Sequence, residues 1–456
     1  MTQGSTTRSN YPLKPGASKV GRFIAKSASG TFFLRIFYLG SGFATTLLLT
    51  RWLGAEGLGV YNFVISWIVL SVIFVKFGFE DYMTREIAVL RADDDAGAVK
   101  SLWQFVFRFM LLSSGGAASI YFVLINSLSF ENPHLQPTFL LAILMIPLLC
   151  FLGIYRGLFR GTKNIISSQM PEYLFRPAQT LFLVGIMLLL SVPGQPEYAM
   201  LITVFGSLTA VSFCILRNPV RSELVQADKK ELDPKVWLAG AFPFLLIAGI
   251  HIFNQRTDRL MLGSIIDMKS VGYYSVAIQM ALVVNFPLVG ITAAIGPLIA
   301  EQKNKNADRQ ELQKALHQTT LIATFVSILI IGSLALFGPW VLEIFGEDFD
   351  ESYIPMLVLA VGQLANVAAG PAGAILSMSN HERLVAIGVL ASAILNLILN
   401  YFLIPILGVL GAGMATAISM ATWNIVLVII AKRKLGIDAN FAAFLIPKPA
   451  RLKHEA

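Results

Sequence analysis

Two runs of polar side chains interrupt otherwise apolar stretches of this 456-residue chain. Arg35, Tyr38, Gly42 and Thr45 recur at i, i+3, i+7 and i+10, the spacing of one helical face. His251, Asn254, Gln255 and Asp258 recur at i, i+3, i+4 and i+7, with Arg256 and Arg259 beside them. A charged side chain facing lipid at mid-depth costs at least ~2.5–3.5 kcal/mol, so both faces are expected to look into protein or water. Plainer readings exist for single members. Arg35, near a span end, can snorkel to the headgroups; Arg256, Asp258 and Arg259 can form an ion pair at a helix end. The stripes as wholes are stronger signals than any one residue in them.

No enzyme motif accompanies these residues. Gly54, Gly57 and Gly59 form a glycine cluster in the wrong order for a dinucleotide fingerprint, and no Walker A sequence is present. The five histidines (134, 251, 317, 381, 454) are dispersed, and Cys150 and Cys214 lie in apolar runs without ligand spacing. Neither a metal centre nor a disulfide framework is expected, and no cofactor.

The elements that must position the stripes follow from composition. Hydrophobic residues make up 55% of the chain and charged ones 14%, against about 25% charged in soluble domains. A soluble enzyme and a disordered chain are both excluded. Twelve apolar segments can each cross a bilayer as a helix: 28–50, 57–79, 102–127, 137–159, 172–192, 197–217, 236–257, 271–299, 316–337, 354–378, 384–405 and 408–431. The fold class read from this is an all-α polytopic membrane protein. Prolines 147, 177, 243, 287, 297, 355 and 371 fall inside spans, where they free carbonyls and permit bends. The polar, basic N-terminal stretch lacks the apolar core of a removable signal peptide.

The net charge of +8 points to loops at the cytoplasmic face, not to nucleic acid. Thirty Lys and Arg fall on one side of the twelve spans and four on the other, so both termini are expected in the cytoplasm. Opposite loops are short; the longest, from Gly338 to Tyr353, is acidic and leaves no room for an outer catalytic domain. The organisation expected is a basic tail (1–27), a six-helix lobe (28–217), a linker (218–235), a second six-helix lobe (236–431) and a second basic tail (432–456). The halves echo each other. Leu53-Gly54 followed by Leu58-Gly59-Val60-Tyr61 recurs as Leu262-Gly263 followed by Val271-Gly272-Tyr273-Tyr274. Six spans per half bring both halves in from the same side, so the repeats are expected to be parallel.

These residues also carry a family likeness. The stretch from Thr50 through Arg51-Trp52-Leu53-Gly54 to Tyr61 resembles the first-loop signature of bacterial polysaccharide-repeat (O-antigen type) flippases. Asp258-Arg259-Leu260-Met261-Leu262-Gly263 resembles their mid-chain signature, and Asn396-Leu397, Leu403-Ile404-Pro405 and Leu410 to Thr416 their late segment. The similarity spans roughly 20–435 and places the chain in the multidrug/oligosaccharidyl-lipid/polysaccharide exporter superfamily. It implies a MATE-like fold: two lobes around a central cavity open alternately to either side, lined by the first helix of each lobe. It further implies an inner-membrane transporter, not an enzyme, moving an undecaprenyl-pyrophosphate-linked oligosaccharide between leaflets. Membrane lipids and the polysaccharide polymerase and assembly proteins are its implied partners.

On that resemblance Arg35, Tyr38, Thr45, His251, Asn254, Gln255, Arg256 and Arg259 become the expected substrate contacts, with Arg35 first in line for a phosphate. Asp258, the one carboxylate on the stripes, is the candidate for coupling to H⁺ or Na⁺. Peptidoglycan-precursor flippases of the superfamily carry an Arg-Asp pair in the first helix, where this chain has Thr45-Thr46. A precursor flippase or a cation-coupled exporter of small molecules remains the alternative.

Overall fold

The computed structural model describes residues 17–221, 227–228, 230, 233–289, 291, 309–379 and 381–436. The expected basic tails lie largely outside the described residues, as do parts of the linker and the end of the 271–299 span. All regular structure among the described residues is helical.

The N-terminal half begins with α1 (Ala17–Lys76), two helices joined at Gly54, whose φ of 68° suits a residue without Cβ. It continues with α2 (Phe79–Ala92), α3 (Ala96–Ser127), α4 (Leu135–Ala142) and α5 (Met145–Gly161). Next come α6 (Ile165–Met170), a π-helix (Pro171–Phe175), α7 (Arg176–Leu189) and α8 (Pro196–Leu216). The second half contains α9 (Pro234–Ile265), α10 (Met268–Ala281) with a 3₁₀ extension, and α11 (Arg309–Phe345). It ends with α12 (Tyr353–Ala368), α13 (Ala372–Met378) and α14 (Glu382–Leu435), the last again two helices joined at a glycine, Gly408.

Among the described residues, eight stretches are long and apolar enough to cross a membrane. Two of these, in α1 and α14, double back at their glycines, and two further passes are broken: α6–α7 by the π-helix and α12–α13 near Gly370. Among the described residues this makes six passes in each half. Helix starts follow capping chemistry. Asp95 accepts from Ala98 N at 2.9 Å to open α3, and Asp267 from Ser270 N at 2.7 Å to open α10. Asp233-Pro234 opens α9, with proline in the first turn where its missing N–H costs nothing.

The turns alternate between two ends of the bundle, and each end is tied across sequence. At the far end from the termini, Asn132 donates to Glu56 and Trp52 Nε1 to Val192 O at 2.9 Å. Arg51 reaches the other half there, donating to the carbonyls of Ile344 (2.5 Å) and Glu343 (3.3 Å) at the end of α11. At the tail end, Lys230 of the linker pairs with Asp95 at 2.6 Å.

The halves also meet backbone to backbone. At the far end α1 crosses α10 so closely that a Cβ on Gly59 would lie 1.6 Å from Met268 O, and one on Gly272 2.0 Å from Ala55 O. The same sequence spacing separates Ala55 from Met268 and Gly59 from Gly272, so the crossing follows the internal repeat. At the tail end a Cβ on Gly78 (φ 77°) would lie 2.4 Å from Ala241 O and Leu245 N. Phe77 faces Phe242 at 6.1 Å and Phe105 faces Trp237 at 5.1 Å beside it.

Candidate functional site

Between these two closures lies a cavity of about 770 Å³ lined from both halves. Its walls come from α1, α2, α5, the π-helix, α7 and α8 on one side and from α9 on the other, with Gln279 of α10. Water-accessible space of this size in an apolar bundle holds polar side chains without exposing them to lipid, which is why charge can persist here.

The tail half of the cavity is charge-balanced. Lys76, Arg156 and Arg160 stand against Glu80, Asp81 and Glu172, all six on its lining. Glu80 takes Lys76 Nζ and Arg156 Nη2, each at 2.9 Å, with Arg160 at 3.8 Å. Arg156 also pairs with Glu172, and Arg160 with Asp81 at 3.6 Å. Burial pushes the Glu80 carboxyl up, but the charges of Arg156, Lys76 and Arg160 outweigh it and hold the group down at about 2.

The deep half is cationic. Arg176 of α7 and Arg256 of α9 line it from opposite lobes, and neither forms an ion pair among the described residues. Arg256 Nε is buried without a hydrogen-bond partner. Both guanidiniums lie within electrostatic reach of Tyr38 and Tyr61. Tyr61 shares a 2.8 Å hydrogen bond with Thr203, and Tyr38 leans on Tyr173 of the π-helix with ring centroids 4.8 Å apart. Thr45 Oγ1 is buried and unpartnered on the same wall, and Gln255 and His251 are joined at 2.9 Å. Guanidinium is always protonated and offers five donors, so two uncompensated groups in a confined space make a receptor for an oxyanion.

The expected residues thus divide. Tyr38, Thr45, His251, Gln255 and Arg256 line the cavity; Arg35, Asn254, Asp258 and Arg259 do not. Arg35 is exposed on α1, a turn nearer the tail end than Tyr38, and Asn254 is half-buried. The polar face of α9 continues past Arg256, but the cavity stops there and other helices cover the face. Arg259 Nε donates to Ser275 Oγ of α10 at 3.2 Å. Asp258 is 3% exposed and accepts three hydrogen bonds: Tyr274 Oη at 2.5 Å, Thr416 Oγ1 at 2.7 Å and Asn400 Nδ2 at 2.7 Å. Asn400 also donates to Asn396 Oδ1 at 2.9 Å, while its own Oδ1 is buried without a partner.

Arg156, Glu172 and Arg176 fall inside the expected spans 137–159 and 172–192 but are not among the expected site residues. A signal was present: Glu172, Arg176 and Thr180 repeat every fourth residue, the spacing that exposed the other two stripes.

The model of the polysaccharide biosynthesis protein family matches residues 27–303, and the MatE model matches residues 248–402. A "Putative O-antigen transporter" of Shigella flexneri is 23% identical over 383 residues, 81% of this chain and 88% of that protein. A "Probable low-salt glycan biosynthesis flippase Agl15" of Haloferax volcanii is 26% identical over 170 residues, 37% of this chain and only 36% of that protein. Among solved structures, an inward-facing multidrug resistance MATE family transporter of the MOP superfamily superposes with a TM-score of 0.71 at 13% identity, covering 87% of this chain and 94% of that one. The lipid II flippase MurJ in its inward closed conformation gives 0.71 at 13%, covering 90% and 87%. The two-lobed fold is therefore that of these exporters, and with a family model matching well over half its length the chain belongs to the polysaccharide biosynthesis protein family of multi-pass membrane proteins.

Proposed function

We propose that this protein carries the head of an undecaprenyl-pyrophosphate-linked oligosaccharide from the inner to the outer leaflet of the bacterial cytoplasmic membrane by alternating access. The observation that carries the reading is the pair Arg176 and Arg256, one guanidinium from each lobe, facing one cavity and neither in an ion pair among the described residues. The names of the Shigella and Haloferax relatives support the substrate class. The excess of Lys and Arg on one side supports cytoplasmic termini, which makes the tail end the cytoplasmic end.

The physical problem is desolvation. Sugars and a diphosphate leaving water for hydrocarbon lose their hydrogen bonds without compensation. The cavity keeps them hydrated while the lipid tail stays in the bilayer, and an Arg–phosphate pair at ~4 Å contributes ~4 kcal/mol at an effective dielectric near 20. Because the two arginines belong to different lobes, a diphosphate held by both ties the lobes together around it. That favours an occluded state over either open one.

Asp258 is proposed as the coupling group, taking up H⁺ or Na⁺ beside the hydroxyl oxygens of Tyr274 and Thr416. Hard cations prefer such oxygen sets, and the unpartnered Asn400 Oδ1 is a further ligand beside it.

The test is Arg176→Gln/Arg256→Gln in proteoliposomes with a fluorescent lipid-linked oligosaccharide. Flipping is expected to fall at least about a hundredfold, as two charge-assisted contacts are lost, with folding and protein level unchanged. Flipping at the wild-type rate overturns the reading.

A further inference from the structure

We propose that the tail end of the cavity holds a second anion site, an entry station centred on Arg156 and guarded by Glu172. The incoming diphosphate displaces Glu172 before it reaches Arg176 and Arg256. The inference rests on the substrate reading above and adds a binding site to it.

Three features of the tail-end cluster support this. The two carboxylates on Arg156 are unequally held. Glu80 is bound as well by Lys76 and Arg160, whereas Arg156 is the ion-pair partner of Glu172 among the described residues. Glu172 is also the more accessible, 33% exposed at its side chain against 15% for Glu80. Glu172 can therefore leave without unmaking the rest of the cluster.

Second, Arg156 is not used up by its carboxylates. Its Nε is buried with no hydrogen-bond partner, although the residue lines the cavity. A phosphate oxygen can take the Nη1 donor that Glu172 vacates while Nη2 stays on Glu80, a charge-assisted contact that suits an oxyanion.

Third, Glu172 sits on the π-helix Pro171–Phe175, and Arg176 follows directly after it. Such single-turn π segments recur at functional sites, because the surplus residue lets side chains shift without melting the helix. Release of Glu172 frees the turn that aims Arg176 and holds Tyr173 against Tyr38. The charges set the direction of travel. At the entry three cations face three carboxylates, while deeper in two cations face none, so an anion that has displaced one carboxylate gains by moving inward.

The test uses the full-length protein in nanodiscs, with geranyl diphosphate as the probe, in titrations of wild type, Glu172→Gln, Arg156→Gln and Arg176→Gln/Arg256→Gln. Removing the competing carboxylate is expected to tighten binding by about tenfold, and Glu172→Asp is expected to restore the wild-type value. In the Arg176→Gln/Arg256→Gln background weak binding is expected to persist, to tighten again with Glu172→Gln, and to vanish with Arg156→Gln. If binding disappears in that double variant, or if Glu172→Gln leaves affinity unchanged in it, the entry station is overturned while the deep site stands. Failure of the wild type to bind the probe overturns both.

Discussion

At the scale of single residues the site is a contrast between arginines that have carboxylates and arginines that lack them. Glu80 anchors the first group, and its acidity makes a pH prediction. Its carboxyl is held at about 2 in the folded protein against an ordinary value of 4.5, so the unfolded chain binds a proton more readily. The stabilisation is fully present above about pH 4.5 and fades as pH falls toward 2. A gap of this size is worth about 3 kcal/mol. Glu80→Gln is thus expected to lower the melting temperature at neutral pH, with the difference from wild type shrinking below pH 4.5 and closing near pH 2. A difference that stays constant over that range denies Glu80 its role as anchor.

At the scale of elements, the twelve passes were legible because bilayer thickness leaves little choice about apolar length, and the caps Asp95, Asp233 and Asp267 stand where the helices begin. The depth at which a polar stripe leaves the cavity was not legible. Helical periodicity put His251, Gln255 and Asp258 on one face, but only the packing of α10 and α14 separates the first two from the third. The π-helix was hidden too, since its extra residue is set by tertiary fit, and with it went the inward aim of Glu172 and Arg176. What those packed helices build around Asp258 gives an element-scale prediction. Asp258→Asn, measured in proteoliposomes with imposed Na⁺, pH and voltage gradients, is expected to lose at least about tenfold of the ion-driven flux, in keeping with the loss of a charged ligand. Exchange without a gradient is expected to continue. Wild-type flux that answers to voltage alone removes Asp258 from coupling.

At the scale of the whole molecule, two lobes close on each other at both ends around a wet interior, and the far closure was foreshadowed by the Leu-Gly echoes between the halves. Gly59 rests against Met268 O while Gly272 rests against Ala55 O. Such a seam is self-matching: each half supplies the notch that the other half fills. One added methyl on either side has nowhere to go, and because the notches are paired it pries both of them open together. Gly59→Ala and Gly272→Ala are therefore expected to behave as one lesion written twice. Each is expected to raise the reactivity of Thr46→Cys toward an impermeant thiol reagent added outside by a similar factor, and the double variant is expected to add little beyond either alone.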